Sequence, residues 1–69
     1  MNLRDTLAGN LREYRRRRGF SQEELAHRAE IDRTYVSALE RSVYAATVDV
    51  IEKLAEALSV KPEELLKLD

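Results

Sequence analysis

Arg33, Thr34, Ser37 and Ala38 stand at i, i+1, i+4 and i+5, and their side chains suit one kind of chemistry. A guanidinium can donate two parallel hydrogen bonds to guanine O6 and N7. A threonine offers a methyl to thymine or a hydroxyl to a base edge, and an alanine methyl can meet a thymine methyl. Upstream, Ser21 and Gln22 lie where a helix would begin, and the free N–H groups and dipole of a helix N-terminus favour an anion. With Tyr35 and Arg41 they are candidate phosphate contacts, which set position on a duplex without reading its sequence. The competing reading of Arg33 is a solvated arginine paired with Asp32 or Ser37. That of Tyr35 is a partly buried ring whose hydroxyl reaches water.

Such side chains act together only if two short helices hold them, and residues 22–41 (QEELAHRAEIDRTYVSALER) encode that pair. Leu25, Ala26 and Ala29 form an apolar face on the first helix, Ile31 plugs the turn, and Val36 with Leu39 form the inward stripe of the second. Arg33, Thr34, Ser37 and Ala38 are then expected to face outward. Ala26 is small enough to let the second helix cross closely. Ser21 with Glu24 reads as a capping box and Phe20 with Leu25 as a hydrophobic staple, while Asp32 as cap and Ile31 with Val36 repeat the arrangement. The expected unit, over about 21–41, is a helix-turn-helix that reads double-stranded DNA.

The remaining residues read as three further helices, for an all-α, five-helix chain in a single domain spanning 1–69. Asn2 caps a first helix with Leu3, Leu7, Leu11 and Tyr14 on one face, and Gly19 ends it in a left-handed conformation. Gly9 inside that helix costs roughly 1 kcal/mol against alanine unless a neighbour packs against it. Residues 42–46 have no period and read as a loop. Thr47 caps a fourth helix over about 47–58, with Val48, Ile51, Leu54, Ala55 and Leu58 on its inner face. Pro62 opens a fifth over about 62–67, with Val60 and Leu65 as staple.

The net charge of −1 hides a division of the chain. Residues 1–45 hold nine arginines against seven acids, and residues 46–69 hold three lysines against six acids. The arginines thus accompany the helix pair, as a DNA-facing surface would require, although ordinary solvated helix faces would produce the same totals. The run Arg15-Arg16-Arg17-Arg18 lies on a helix with about 100° between neighbours, so its members point in different directions; Arg17 or Arg18 is the one expected near phosphate. His27 has no second ligand at helical spacing, so no metal is expected. The absence of cysteine excludes disulfides and thiolate metal sites. Apolar runs too short for a bilayer and an N-terminus unlike a signal peptide lead us to expect a cytoplasmic protein with no membrane association.

With these residues in view, the chain resembles the lambda-repressor-like helix-turn-helix regulators, the XRE or Cro/CI family. The matching positions run from Leu11-Arg12 and Arg15 before Gly19, through Phe20-Ser21-Gln22-Glu23-Glu24-Leu25-Ala26, Ala29 and Ile31. They continue with Tyr35-Val36-Ser37, Leu39-Glu40-Arg41, Ile51, Lys53-Leu54-Ala55, Leu58, Val60 and Pro62. The resemblance implies a compact five-helix domain whose third helix enters the major groove, usually as a two-fold dimer on a matching operator. It also implies a phosphate clamp at Gln22 and an Arg15–Glu40 ion pair tying helix 1 to the end of helix 3. The chain departs from the family where Glu30 and Ser42 replace glycine and Ala46 replaces proline. Glu30 in a left-handed conformation would cost on the order of 1 kcal/mol.

A chain of 69 residues has a thin core that often gains stability by oligomerisation. A homodimer is expected, with Val43 and Tyr44 from the loop and Leu66 and Leu68 from the C-terminal segment as its interface; frayed terminal residues are the plainer account of the two leucines. No nucleophile–base set or phosphate-cradling glycine loop is present, so catalysis and cofactors are not expected. With no ligand domain, no small-molecule effector is expected either. Among regulators, the chain resembles the controller proteins of restriction-modification systems as well as small phage or chromosomal repressors. The alternative from another class is an antitoxin-like module whose main partner is a protein.

Overall fold

The computed structural model describes residues 2–68 and places four α-helices and one 3-10 helix in sequence: α1 Leu3–Arg17, α2 Gln22–Ala29, α3 Arg33–Glu40, α4 Val48–Leu58 and the 3-10 helix Pro62–Leu66. No strand occurs among the described residues. None of the helices is long and apolar enough to cross a membrane. Each α-helix starts on the residue that its sequence offers as a cap. Asn2, Ser21, Asp32 and Thr47 all have extended backbones, and their side-chain oxygens accept from Asp5, Glu24, Thr34 and Val50 N–H groups respectively. The capping box at Ser21 closes on one side only, because Glu24 turns its carboxylate to Arg28 at 2.6 Å.

The helix ends share one device. After α1, α2, α3 and α4 the chain takes a left-handed residue: Gly19 (φ 72°), Glu30 (57°), Ser42 (60°) and Ser59 (60°). In each case its N–H and that of the next residue bond back into the last turn, as in Ser42 to the Leu39 carbonyl at 3.1 Å and Val43 to the Ala38 carbonyl at 2.9 Å. These are Schellman closures, which satisfy helix carbonyls otherwise left orphaned. The following residue is apolar every time, Phe20, Ile31, Val43 or Val60. Of these, Phe20, Ile31 and Val60 pack on the core.

Only Gly19 adopts this conformation without a Cβ penalty. Replacing Ser59 or Glu30 with glycine is therefore expected to raise stability by roughly 0.5 to 1 kcal/mol each, and thermal melts of the single and double variants should show additive gains. Gly9 calls for the opposite change. It is helical, and a Cβ there would meet nothing within 4 Å. Gly9→Ala should gain up to about 1 kcal/mol, and an unchanged or lower melting temperature would contradict this.

The core joins Leu7 and Leu11 of α1, Leu25, Ala26 and Ala29 of α2, Val36 and Leu39 of α3, Leu54, Ala55 and Leu58 of α4, and Leu65. The fifth element is shorter and tighter than the expected α-helix over 62–67. Leu65 is fully buried, and Asn10 Nδ2 donates to the carbonyls of Leu65 and Lys67, each at 2.9 Å. Asn10 thus satisfies carbonyls that the end of a helix leaves without a partner, and the Glu64 N–H closes on the Lys61 carbonyl at 2.9 Å, the i to i+3 step of a 3-10 helix.

Candidate nucleic-acid interface

The outer face of α3 leaves Arg33, Thr34 and Arg41 exposed around a half-buried Ser37. Arg33 makes no hydrogen bond or ion pair among the described residues, whereas Arg41 donates from Nε to the Ser37 carbonyl at 3.3 Å. Thr34 is held by the helix cap. Asp32 Oδ1 accepts both its N–H, at 2.8 Å, and its hydroxyl, at 2.6 Å. The Thr34 hydroxyl, and then its N–H, hold the Asp32 carboxyl below its ordinary value of 3.8. A lowered folded-state value means that the cap is intact above the ordinary carboxylate range and weakens only as pH falls through the lowered value.

Ala38 does not join this face; its expected contact with a thymine methyl is ruled out by burial at 4% exposure. The cause lies beyond the helix. Ser42 turns the chain back, Val43 bonds to the Ala38 carbonyl, and Tyr35, one turn before Ala38, donates its hydroxyl to the Ala45 carbonyl at 3.4 Å. The returning segment thus covers the side of α3 that carries Ala38. Tyr35 is half-buried there, its ring edge-on to Tyr44 with centroids 6.3 Å apart.

At the start of α2, Ser21 is exposed with its hydroxyl oxygen occupied by the Glu24 N–H. Gln22 is half-buried and donates from Nε2 to Glu40 Oε1 at 3.1 Å. An amide nitrogen carries two donors, so the other remains for an anion. Glu40 is the buried charge of the fold, 3% exposed, and Arg15 meets both its oxygens, Nε to Oε2 at 2.6 Å and a terminal nitrogen to Oε1 at 3.0 Å. Arg15 also donates to the Phe20 carbonyl at 2.9 Å, directly before the α2 cap. Arg12 donates to the Glu40 carbonyl. Two arginines, one glutamine and one glutamate therefore fasten α1, the start of α2 and the end of α3 together. No buried side-chain polar atom among the described residues lacks a partner.

Sequence reasoning missed the roles of Arg12 and Gln22 in this cluster; Arg12 lies one helical turn before Arg15, which was the available signal. In the arginine run, Arg15 alone turns inward. Arg17 pairs with Glu13 at 3.0 Å, and Arg18 lies over the Phe20 ring at 5.7 Å. His27 is exposed in an open cleft with Glu24, Arg28, Glu30 and Glu56. The expected interface residues separate: Val43 and Tyr44 are exposed, and Leu66 is half-buried in a groove with Leu3, Leu7, Ala45, Ala46 and Ile51. Leu68 lines a different cleft, with Thr6, Gly9 and Asn10.

A helix-turn-helix family profile matches residues 11–65. The chain belongs to the XRE-type helix-turn-helix family. Among relatives of this family, a hypothetical transcription factor of Neisseria meningitidis is 49% identical over 65 residues, which is 94% of this chain and 61% of that protein. This chain thus spans about three fifths of that relative. The control protein C.SmaI of Serratia marcescens is 36% identical over 96% of this chain and 79% of its own length. Among helix-turn-helix structures, the Neisseria factor superposes with a TM-score of 0.93 at 48% identity, over 96% of this chain and 76% of that one. The restriction-modification controller C.AhdI of Aeromonas hydrophila gives 0.87 at 40% identity, over 90% of this chain and 94% of its own.

Proposed function

We propose that this helix-turn-helix protein binds double-stranded DNA sequence-specifically as a small transcriptional regulator, with α3 in the major groove. The observation that carries the reading is the outer face of α3. Its inner residues Val36, Leu39 and Glu40 are consumed by the core and the ion pair, yet Arg33 and Thr34 stay exposed beside Ser37. In this reading Arg33, Thr34 and Ser37 face bases. Ser21, Gln22, Tyr35 and Arg41 hold phosphates, with Arg18 added beside the start of α2 and Arg17 removed by its pairing with Glu13.

Selection of bound duplexes from a random pool tests the proposal. An enriched motif is expected, and a pool that stays random through repeated rounds would refute it. The named control proteins among the relatives favour a restriction-modification controller role, for which an adjacent restriction enzyme or methyltransferase gene is the expected neighbourhood.

The protein acts in this proposal as a homodimer on a two-fold operator, with half-sites about one helical turn apart. Val43, Tyr44 and Val48, exposed by 51%, 57% and 74%, together with the groove of Leu3 and Leu66, supply apolar surface for the contact. Leu68, in its separate cleft, is left out of it. A strictly monomeric species in sedimentation at micromolar concentration would remove the dimer.

A further inference from the structure

The hydrogen bond between Thr34 and Asp32 has a direction. At neutral pH a carboxylate only accepts, so the 2.6 Å contact consumes the single hydroxyl proton of Thr34. What Thr34 still offers outward is its methyl and oxygen lone pairs. Releasing the proton to a neutral base acceptor would exchange a charge-assisted bond for one roughly half as strong. The Asp32 carboxylate would also stand against the acceptor atoms N7 and O6. Ser37, by contrast, shows no side-chain hydrogen bond among the described residues, and its hydroxyl is free to turn either way.

We infer that Asp32 is a positioning residue for specificity: by taking the Thr34 proton it makes Thr34 an acceptor, so that the base pair under Thr34 is recognised through an exocyclic amino group, adenine N6 or cytosine N4. The inference rests on the DNA-reading function proposed above. Arg33 beside it is a pure donor, so neighbouring residues demand opposite edges, an acceptor pair for Arg33 and an amino group for Thr34.

The test starts from the operator enriched by the wild-type protein. Thr34→Val, nearly isosteric, identifies the base pair whose preference depends on the hydroxyl. In that pair the amino group is then replaced by hydrogen, with purine for adenine or a 2-pyrimidinone for cytosine; separately, its purine is replaced by the 7-deaza analogue. Wild-type affinity should fall about three- to tenfold on the deamino duplex and stay unchanged on the 7-deaza duplex, while Thr34→Val should not register the missing amino group. Asp32→Gly keeps most of the cap, since glycine is nearly as good there, and frees the hydroxyl; its selected pool should relax at this one position. The wild-type measurement stands even if that variant folds poorly. Equal wild-type binding to parent and deamino duplexes, a loss on the 7-deaza duplex, or no position altered by Thr34→Val would each overturn the inference while leaving DNA reading intact. No enriched operator at all would overturn both.

Discussion

Arg15→Ala is expected to destabilise the domain by about 3 to 5 kcal/mol, the usual effect of removing one partner from a buried ion pair. A 69-residue domain has a total stability of roughly 3 to 10 kcal/mol, so this single change removes about three tenths of it or more. The corresponding fall in melting temperature is about 12 to 40 °C. The size follows from what remains. Glu40, 3% exposed, would keep only the Gln22 amide on its carboxylate, and the Phe20 carbonyl would lose the guanidinium that holds the start of α2. Replacing both charges with apolar residues of similar size, Arg15→Met with Glu40→Leu, should recover much of the loss, because an unpaired buried charge is the main penalty. Circular dichroism melts of the two single variants and the double variant measure the coupling. If Arg15→Ala melts within about 0.5 kcal/mol of the parent, the ion pair is not the fastening described here.

Arg33→Ala should behave in the reverse manner, leaving the melt unchanged and damaging recognition. The side chain is exposed and has no partner among the described residues, so its loss disturbs no contact of the fold. A bidentate contact to guanine is worth about 1 to 3 kcal/mol, and the proposed dimer would make it in both half-sites. Affinity for the selected operator should therefore drop roughly 30-fold to more than 10,000-fold, while a scrambled duplex loses only the small share due to one positive charge. Fluorescence anisotropy titrations of both duplexes at one salt concentration separate these cases. Equal weakening of the two would show that Arg33 meets phosphate and not a base.

These two arginines show how unevenly the chain discloses itself. Arg15 and Glu40 are 25 residues apart, and no local rule pairs them; the resemblance to known regulators implied the pair, and Arg15 Nε lies 2.6 Å from Glu40 Oε2. The caps are another matter. Asn2, Ser21, Asp32 and Thr47 were legible because a cap bonds within three residues of itself. Glu30 was legible as an awkward residue in a turn, and it does sit left-handed.

Ala38 misled, because helical periodicity sets which residues share a side but not which side the chain later covers. The fifth helix also misled: Pro62 and its followers have helix-start signals, but the segment closes with the i to i+3 bond from the Glu64 N–H to the Lys61 carbonyl, and its end is tied to Asn10 across the fold.

What the residues determined by themselves is therefore what rests on neighbours in sequence: four α-helices, their starting caps, the left-handed turns at Gly19 and Glu30 and most of each apolar face, although Leu3 and Val48, expected on those faces, stand exposed. Only the tertiary structure decided which groups remain free to act. It buried Ala38 beneath the returning loop, tied Gln22 and Arg15 to Glu40, and separated Leu66 from Leu68. The physical reason is one of range. Capping and helix periodicity are satisfied within a turn or two of the chain, while exposure and the spending of a donor or acceptor depend on whichever segment folds back against it.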